Sequence, residues 1–310
     1  MFSRTNTCQL FGLIRLTVAS ALALAFSASL NSSASLAGGL NLKEVVVALK
    51  ADKNPDQMVK ERASLENELS NSLKVPVKVL IPTSSAVILQ GFANGTIDAG
   101  YLSSLDMVNA ERVGAAELLL AGRIKEKTSY ESLWLVKKAS TYQKIEDLKG
   151  KSISFASRTS TSGYLIPYWD LINKKLLSAK QDPSTFFGDG NVWYGTGYVS
   201  AIQRVLDSTA EAAAVSDYVY FGDKHLTSEQ KNQLRVLQKQ GPVPTHVIAV
   251  RKSLSDTHKK AIREALIKLN SNPKLRDQVF TSELVEVDSK QHLASTREAL
   301  ELTGLIFETK

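Results

Sequence analysis

The chain has 310 residues, 43 % of them hydrophobic, enough to build one large core or two medium ones. Its formal net charge is +7, but the charges are interspersed, as at Lys43-Glu44, and no basic stripe or recognisable module points to nucleic-acid binding. Cys8 is the only cysteine, and the four histidines (225, 246, 258 and 292) lack ligand-like spacing, which argues against a disulfide framework and against cysteine or histidine zinc sites.

Arg4 and Arg15 precede a mostly apolar run, Leu16 to Leu30, and small residues follow up to Ser35-Leu36-Ala37. A basic start, an apolar middle and small residues at the −3 and −1 positions predict a secretory signal peptide over 1–37, cleaved near Ala37. Thr17, Ser20, Ser27 and Ser29 interrupt the run, and its strongly apolar stretch is short for a bilayer span. Cys8 lies ahead of the apolar stretch and so is no lipid-anchored cysteine at the leader's end. No later segment reads as a transmembrane helix, so the mature protein is expected to be soluble and periplasmic. Without the two leader arginines its net charge is +5, a mild basicity that suits an anionic ligand without requiring one.

In the mature chain Glu44 to Leu49 is a short run rich in β-branched residues and predicts a buried strand. Met58, Leu65, Leu69 and Leu73 recur at helical spacing across 56–73. Val75 to Ile81 reads as the next strand. Ser84 and Ser85 are placed to cap a helix over Val87 to Phe92, Asn94-Gly95 ends it, and Ile97 to Leu102 is again a strand. This alternation predicts a parallel α/β sheet. The pattern restarts at Leu148-Lys149-Gly150 with a strand over Ser152 to Ala156, a helix over Val199 to Leu206 and a strand over Ala212 to Ser216, so two lobes are expected. Leu133 to Ser140 echoes Val247 to Leu254: each is an apolar strand ending in a basic pair. They are read as the two crossings of a hinge, with lobe 1 at 38–135 and 248–310, lobe 2 at 136–247, and the C-terminal helices packed on lobe 1.

The most informative stretch runs from Phe155 to Pro167, where a strand leads into a helix. Ser160, Thr161 and Ser162 stand at the helix start, so their hydroxyls and the unpaired first amides can converge on an oxyanion, helped by the helix dipole. Gly163 permits close backbone approach. A plain Ser/Thr cap explains one of these hydroxyl residues but not three with a glycine. Tyr101 and Tyr198 read equally as hydroxyl donors or packing groups, and Asp217 as a ligand acceptor or a helix-start acid. Trp134 and Trp193 read as core or cleft-wall residues. Arg158 reads equally as pointing to solvent and is left out of the site.

Here the sequence resembles the phosphate/phosphite/phosphonate-binding proteins of ABC transporters, over roughly Val45 to Leu302. The family's Ser-Thr-Ser-Gly element stands as Ser160 to Gly163, followed by Tyr164 and Pro167. Gly95-Thr96-Ile97-Asp98 running into Ala99 to Leu102, the segment Asp147 to Lys151, and Ala212 to Asp217 also match family-like elements in order. Two departures stand out: Ser103-Ser104 replaces a common Gly-Pro, and Tyr198 occupies the place of a histidine found in many phosphonate binders.

The resemblance implies a two-lobed α/β type II periplasmic-binding-protein fold with a two-strand hinge. It implies a receptor that captures a phosphonate- or phosphite-type oxyanion between its lobes, with permease and ATPase subunits in the inner membrane as partners and no cofactor, metal or nucleic acid. The implied ligand site is Tyr101, Ser103, Ser160, Thr161, Ser162, Tyr198 and Asp217. A different small solute (sulfonate, nitrate or a thiamine precursor) is the nearest alternative. An enzyme on the same fold is less favoured, because the chain carries no G-x-S-x-G, S-x-x-K, phosphate-loop or dinucleotide motif. Export gives a direct test: N-terminal sequencing of the periplasmic protein is expected to begin just after Ala37, and a mature chain beginning at Met1 in the membrane fraction would refute the leader.

Overall fold

Two mixed sheets organise the chain in a computed structural model that describes residues 42–49, 55–280 and 282–305. The expected signal peptide, with Cys8, lies outside the described residues. The first part of the chain contains β1 (Val45–Ala48), α1 (Pro55–Leu73), β2 (Val77–Leu80), α2 (Ser85–Asn94), β3 (Ala99–Leu102), α3 (Ser104–Arg112) and β4 (Ala116–Arg123). The middle contains β5 (Ser129–Lys137), β6 (Ile153–Phe155), α4 (Ile166–Asn173), α5 (Ser184–Phe187), β7 (Val192–Tyr194), α6 (Tyr198–Leu206), β8 (Ala212–Ser216), α7 (Asp217–Phe221), α8 (Ser228–Asn232) and β9 (Leu234–Pro244). The last part contains β10 (Val247–Arg251), α9 (Asp256–Lys268), α10 (Pro273–Val279), β11 (Glu283–Val285), α11 (Ser289–His292) and α12 (Ala294–Thr303).

The first sheet has the order β11-β4-β10-β3-β1-β2 and the second β7-β6-β8-β5-β9. Neither is purely parallel, as the alternating pattern had suggested. β1 runs parallel to β2 and β3, but β10 is antiparallel to both β3 and β4. β6 runs parallel to β7 and β8, while β5 is antiparallel to β8 and β9. The strands that follow each crossing enter from the opposite end, which reverses their direction.

Helices cover both faces of each sheet, so the interior strands β1, β3, β8 and β10 are apolar and almost wholly buried. Along β10, Ile248 and Val250 pack in one cluster with Val45, Leu65, Leu69 and Ile262. Val247 and Ala249 face the other way, with Ile88, Phe92 and Met107. In the second sheet Trp134 and Phe155 share a cluster with Tyr164 and Phe187, and Leu133, Leu135 and Val215 share another with Ile202 and Val205. Trp134 is fully buried and belongs to the core, whereas Trp193 is exposed with the Arg204 guanidinium over its ring. Ser84 stands at the start of α2 but makes no side-chain cap bond. Ser85 donates instead to Asp106 Oδ1 at 2.9 Å. Gly95 ends that helix at φ +79°, a conformation that favours glycine.

The chain passes between sheets twice, through 124–128 and through 245–246. These segments are stitched together: Thr245 Oγ1 donates to Gly122 O at 2.6 Å, Thr245 N to Thr128 O at 3.0 Å, and Gly122 N to His246 O at 2.9 Å. β5 lies wholly within the second sheet, so the boundary expected at 135/136 falls inside a strand. The echo between Leu133–Ser140 and Val247–Leu254 thus reflects two interior apolar strands, one from each sheet. α9 and α10 pack on α1, as expected of C-terminal helices. α12 differs, since it touches α3 as well as α4 and β9. Leu105, Leu165, Ile166, Val243 and Ala299 form one apolar cluster at that junction.

Asp98 anchors the first sheet. Its Oδ2 accepts from Val46 N at 2.8 Å and its Oδ1 from Arg251 Nη2 at 2.7 Å, with both side chains largely buried. One carboxylate thus ties β1, the entry to β3 and the end of β10. Removing one partner of a buried pair strands the other, at a cost of about 3–5 kcal/mol. Asp98→Ala is therefore expected to lower unfolding stability in urea by about that amount. A loss near that of an exposed ion pair, under about 1 kcal/mol, would show that the carboxylate is not the anchor.

Candidate functional site

β6 ends at Phe155, and the chain reaches Ser160 in an extended conformation before winding into a π-helical turn, Thr161–Leu165, that continues as α4. Leu165 N bonds Ser160 O at 3.1 Å and Ile166 N bonds Thr161 O, the wide-turn pattern. Ser160 is the cap, since its Oγ accepts from Gly163 N at 3.0 Å. Gly163 is required by packing. A Cβ there would lie 2.4 Å from Ala156 Cβ and 2.8 Å from Ser160 Oγ, so only glycine lets the turn sit on the end of β6. The close approach is to the protein's own Ala156 and Ser160 side chains and to the Ala214 carbonyl.

Thr161 and Ser162 are buried. Ser162 Oγ lies 2.8 Å from Tyr198 Oη, and Tyr130 Oη donates to it at 3.4 Å. Ser160 Oγ contacts Tyr198 Oη at 3.5 Å. A buried polar chain supports the turn from behind: Ser132 Oγ donates to Ser162 O at 2.6 Å and accepts from Gln240 Nε2 at 2.7 Å. Gln238 Nε2 reaches Gln240 Oε1 at 3.4 Å and Asp170 Oδ2 at 2.7 Å. Burial pushes the Asp170 carboxyl above its ordinary range, while Lys174 and Gln238 oppose that rise.

The start of α3 faces this turn from the first sheet. Ser103 caps α3, accepting from Asp106 N at 3.1 Å and donating to Asp106 Oδ2 at 2.7 Å. Beside it, Leu105 N donates to Thr161 Oγ1 at 3.3 Å and Ser104 Oγ donates to the same oxygen at 3.4 Å. The hydroxyl cluster of one sheet therefore meets a helix start of the other.

Aromatic rings wall the turn on one side. Tyr130 and Tyr218 have centroids 5.7 Å apart, and Tyr198 meets Tyr218 edge-on at 6.0 Å. Burial, reinforced by Tyr198, holds the Tyr130 hydroxyl well above the ordinary tyrosine pKa, so it stays a protonated donor at neutral pH, while the Tyr218 side chain is partly exposed. Asp217 starts α7 and accepts from Glu131 N at 3.1 Å through Oδ2. Its Oδ1 has only a 3.5 Å contact from Ser216 Oγ among its side-chain contacts.

Of the seven candidate residues, Ser160, Ser162 and Tyr198 contact one another, and Thr161 meets the first sheet. Ser103 is engaged by Asp106, next to the residues that reach Thr161. Asp217 is tied to β5 close to the tyrosine wall. Tyr101 donates its hydroxyl to Phe280 O at 3.0 Å and stacks its ring on His246 at 5.3 Å, and it lies near enough to Tyr130 and Tyr218 to raise their hydroxyl pKa values. Arg158 lies over the Tyr194 ring at 3.7 Å. Sequence reasoning missed Tyr130, Ser132, Tyr218 and Ser104. The first two were signalled by period-2 alternation along β5, which puts Tyr130, Ser132 and Trp134 on one face.

Chemically, the turn offers neutral hydroxyl donors and helix-start amides. The hydroxyls of Ser160 and Ser162 contact a backbone amide and tyrosines, an arrangement without the base that a serine nucleophile needs. Among the described residues no group of three or more His, Cys, Asp or Glu is placed to hold a metal, and no helix is long and apolar enough to cross a membrane.

The sequence and the fold are similar to those of known proteins. The phosphonates-binding periplasmic protein of Escherichia coli (strain K12) is 24 % identical over 211 residues, which is 66 % of this chain and 60 % of that protein. The chain thus matches less than two thirds of that relative's length. Among solved structures, XAC2383 from Xanthomonas citri bound to ATP superposes with a TM-score of 0.71 at 18 % identity, over 85 % of this chain and 99 % of that one. PhnD1 from Prochlorococcus marinus (MIT 9301) in complex with methylphosphonate gives 0.69 at 19 %, over 83 % and 97 %. The sequence profile described as "ABC transporter, phosphonate, periplasmic substrate-binding protein" matches residues 47–292, so the chain belongs to that family of receptors.

Proposed function

We propose that this protein is the periplasmic receptor of an ABC importer and captures a small phosphorus oxyanion of the phosphonate or phosphite type. One observation carries the reading: the Ser160–Ser162 turn of one sheet unit abuts the α3 start of the other, with Thr161 Oγ1 3.3 Å from Leu105 N. An anion held there touches both units. The methylphosphonate complex of the Prochlorococcus neighbour supports the ligand class.

In this reading Ser160, Thr161, Ser162 and Tyr198 donate to the phosphorus oxygens. Asp217 accepts through Oδ1 from a protonated ligand oxygen. Ser103 holds the α3 start in place, and Tyr101 frames the first lobe through its bond to Phe280. The lobes are 42–123 with 247–305, and 129–244, hinged at 124–128 and 245–246. The loaded, closed form presents the ligand to permease and ATPase subunits in the inner membrane.

Calorimetric titration with methylphosphonate, phosphite and hypophosphite, against phosphate, sulfate and ATP, tests the ligand class. Hydrogen bonds to a charged acceptor are worth about 1.5–3 kcal/mol each, roughly one to two decades of affinity. Thr161→Ala is therefore expected to weaken phosphorus-oxyanion binding about tenfold to a hundredfold. Parent-like affinity would move the site away from the turn. A ligand drives closure only through its higher affinity for the closed state, so small-angle scattering is expected to show a smaller radius of gyration with saturating ligand. An unchanged profile would refute the hinge.

A further inference from the structure

We propose that Thr296, on the C-terminal helix α12, is a positioning residue for the anion site: through Ser104 it aims the Thr161 proton at the ligand. The inference rests on the function proposed above.

Three buried hydroxyls from three separate elements stand in series. Thr296 Oγ1 donates to Ser104 Oγ at 3.1 Å, and Ser104 Oγ donates to Thr161 Oγ1 at 3.4 Å. Their exposures are 0 %, 1 % and 3 %, so water does not compete for these bonds. Leu105 N also donates to Thr161 Oγ1, at 3.3 Å. A hydroxyl has one proton and two acceptor lone pairs. Both lone pairs of Thr161 are thus engaged by donors from the α3 start, and its proton has no acceptor among the described residues. An anionic oxygen supplies one. Were the series reversed, Thr161 would give its proton to Ser104 and present a lone pair to the ligand, which an anion repels.

Thr296 keeps the series pointing one way. By donating to Ser104 it polarises that hydroxyl into a stronger donor, and the effect passes along to Thr161. The bonds to Thr161 are long for their type. A ligand that draws the lobes together shortens them, so occupancy and the position of α12 depend on each other. Nothing in the sequence signalled Thr296, which lies 135 residues from Thr161.

Thr296→Val keeps the β-branched shape and removes the hydroxyl, whereas Thr296→Ser keeps the hydroxyl. With methylphosphonate as the probe, calorimetry is expected to show Thr296→Val weakened about three- to tenfold and Thr296→Ser close to the parent. In a Ser104→Ala background, Thr296→Val is expected to add nothing further, because the series is already broken. Loss of packing alone would instead weaken both Thr296 variants, with effects that add to that of Ser104→Ala. Parent-like binding by Thr296→Val, or additive effects, would overturn the proposal while leaving the oxyanion site intact. A parent that binds no phosphorus oxyanion would sink the receptor reading and this inference together. Should Thr296→Val not fold, Ser104→Ala alone carries the test: weaker binding is expected, and unchanged binding overturns the relay.

Discussion

Everything at the site depends on the seat of the Ser160–Gly163 turn against the end of β6. Because Gly163 has no Cβ, the turn lies within contact of Ala156 and of the Ala214 carbonyl. That seat places Ser162 under Tyr198 and Tyr130, and Thr161 against the start of α3. A larger residue at 163 would lift the turn off the strand and separate all of these contacts together. The three hydroxyl residues attract notice in the sequence, but the glycine after them determines where they stand.

The donors around the turn are neutral. Arg158, the cation nearest in sequence, covers Tyr194 instead. Burial keeps the Tyr130 hydroxyl protonated. A site of neutral donors holds an anion by directed hydrogen bonds, whose strength grows as water is excluded. Such bonds are sensitive to oxygen geometry, and in the hinge motion proposed above their number would change. That suits a receptor that must also release its ligand. An arginine clamp would stay bound to the anion in the open form.

The sequence made the strands and most helices legible, because each repeats a simple period. Val45–Ala48 is a β-branched run, and Leu65, Leu69 and Leu73 mark one helix face. The Ser160–Gly163 element was legible from residue type alone. Sheet direction was not, because a strand's orientation depends on which end the chain enters after leaving the other sheet. Nor was the crossing point: β5 and β10 look alike because both are interior strands, and the true links, 124–128 and 245–246, have no distinctive composition. Tyr130 and Tyr218 were hidden for a related reason. They come from β5 and from the start of α7, which become neighbours of the turn only through long-range pairing of β5 with β8. Tyr101, which reads equally as a hydroxyl donor or a packing group, donates its hydroxyl to Phe280 O, 179 residues away.

α12 ties these levels together. Its Ala299 packs in a cluster with Leu105, Leu165, Ile166 and Val243, drawn from both sheet units. Its Thr303 Oγ1 donates to Ala299 O at 2.6 Å within the helix, so that hydroxyl is satisfied locally. Thr296, in the first turn of the helix, donates outward to α3 instead. The same helix thus carries an apolar contact, which tolerates small sliding, and a directed hydroxyl contact, which does not. In the closure proposed above, Leu165, Ile166 and Val243 would shift against Leu105 and Ala299 by repacking, while Thr296 and Ser104, both in the first lobe, would keep their bond. Packing would therefore permit the proposed motion, and the hydroxyl series would leave the Thr161 proton for the ligand to accept.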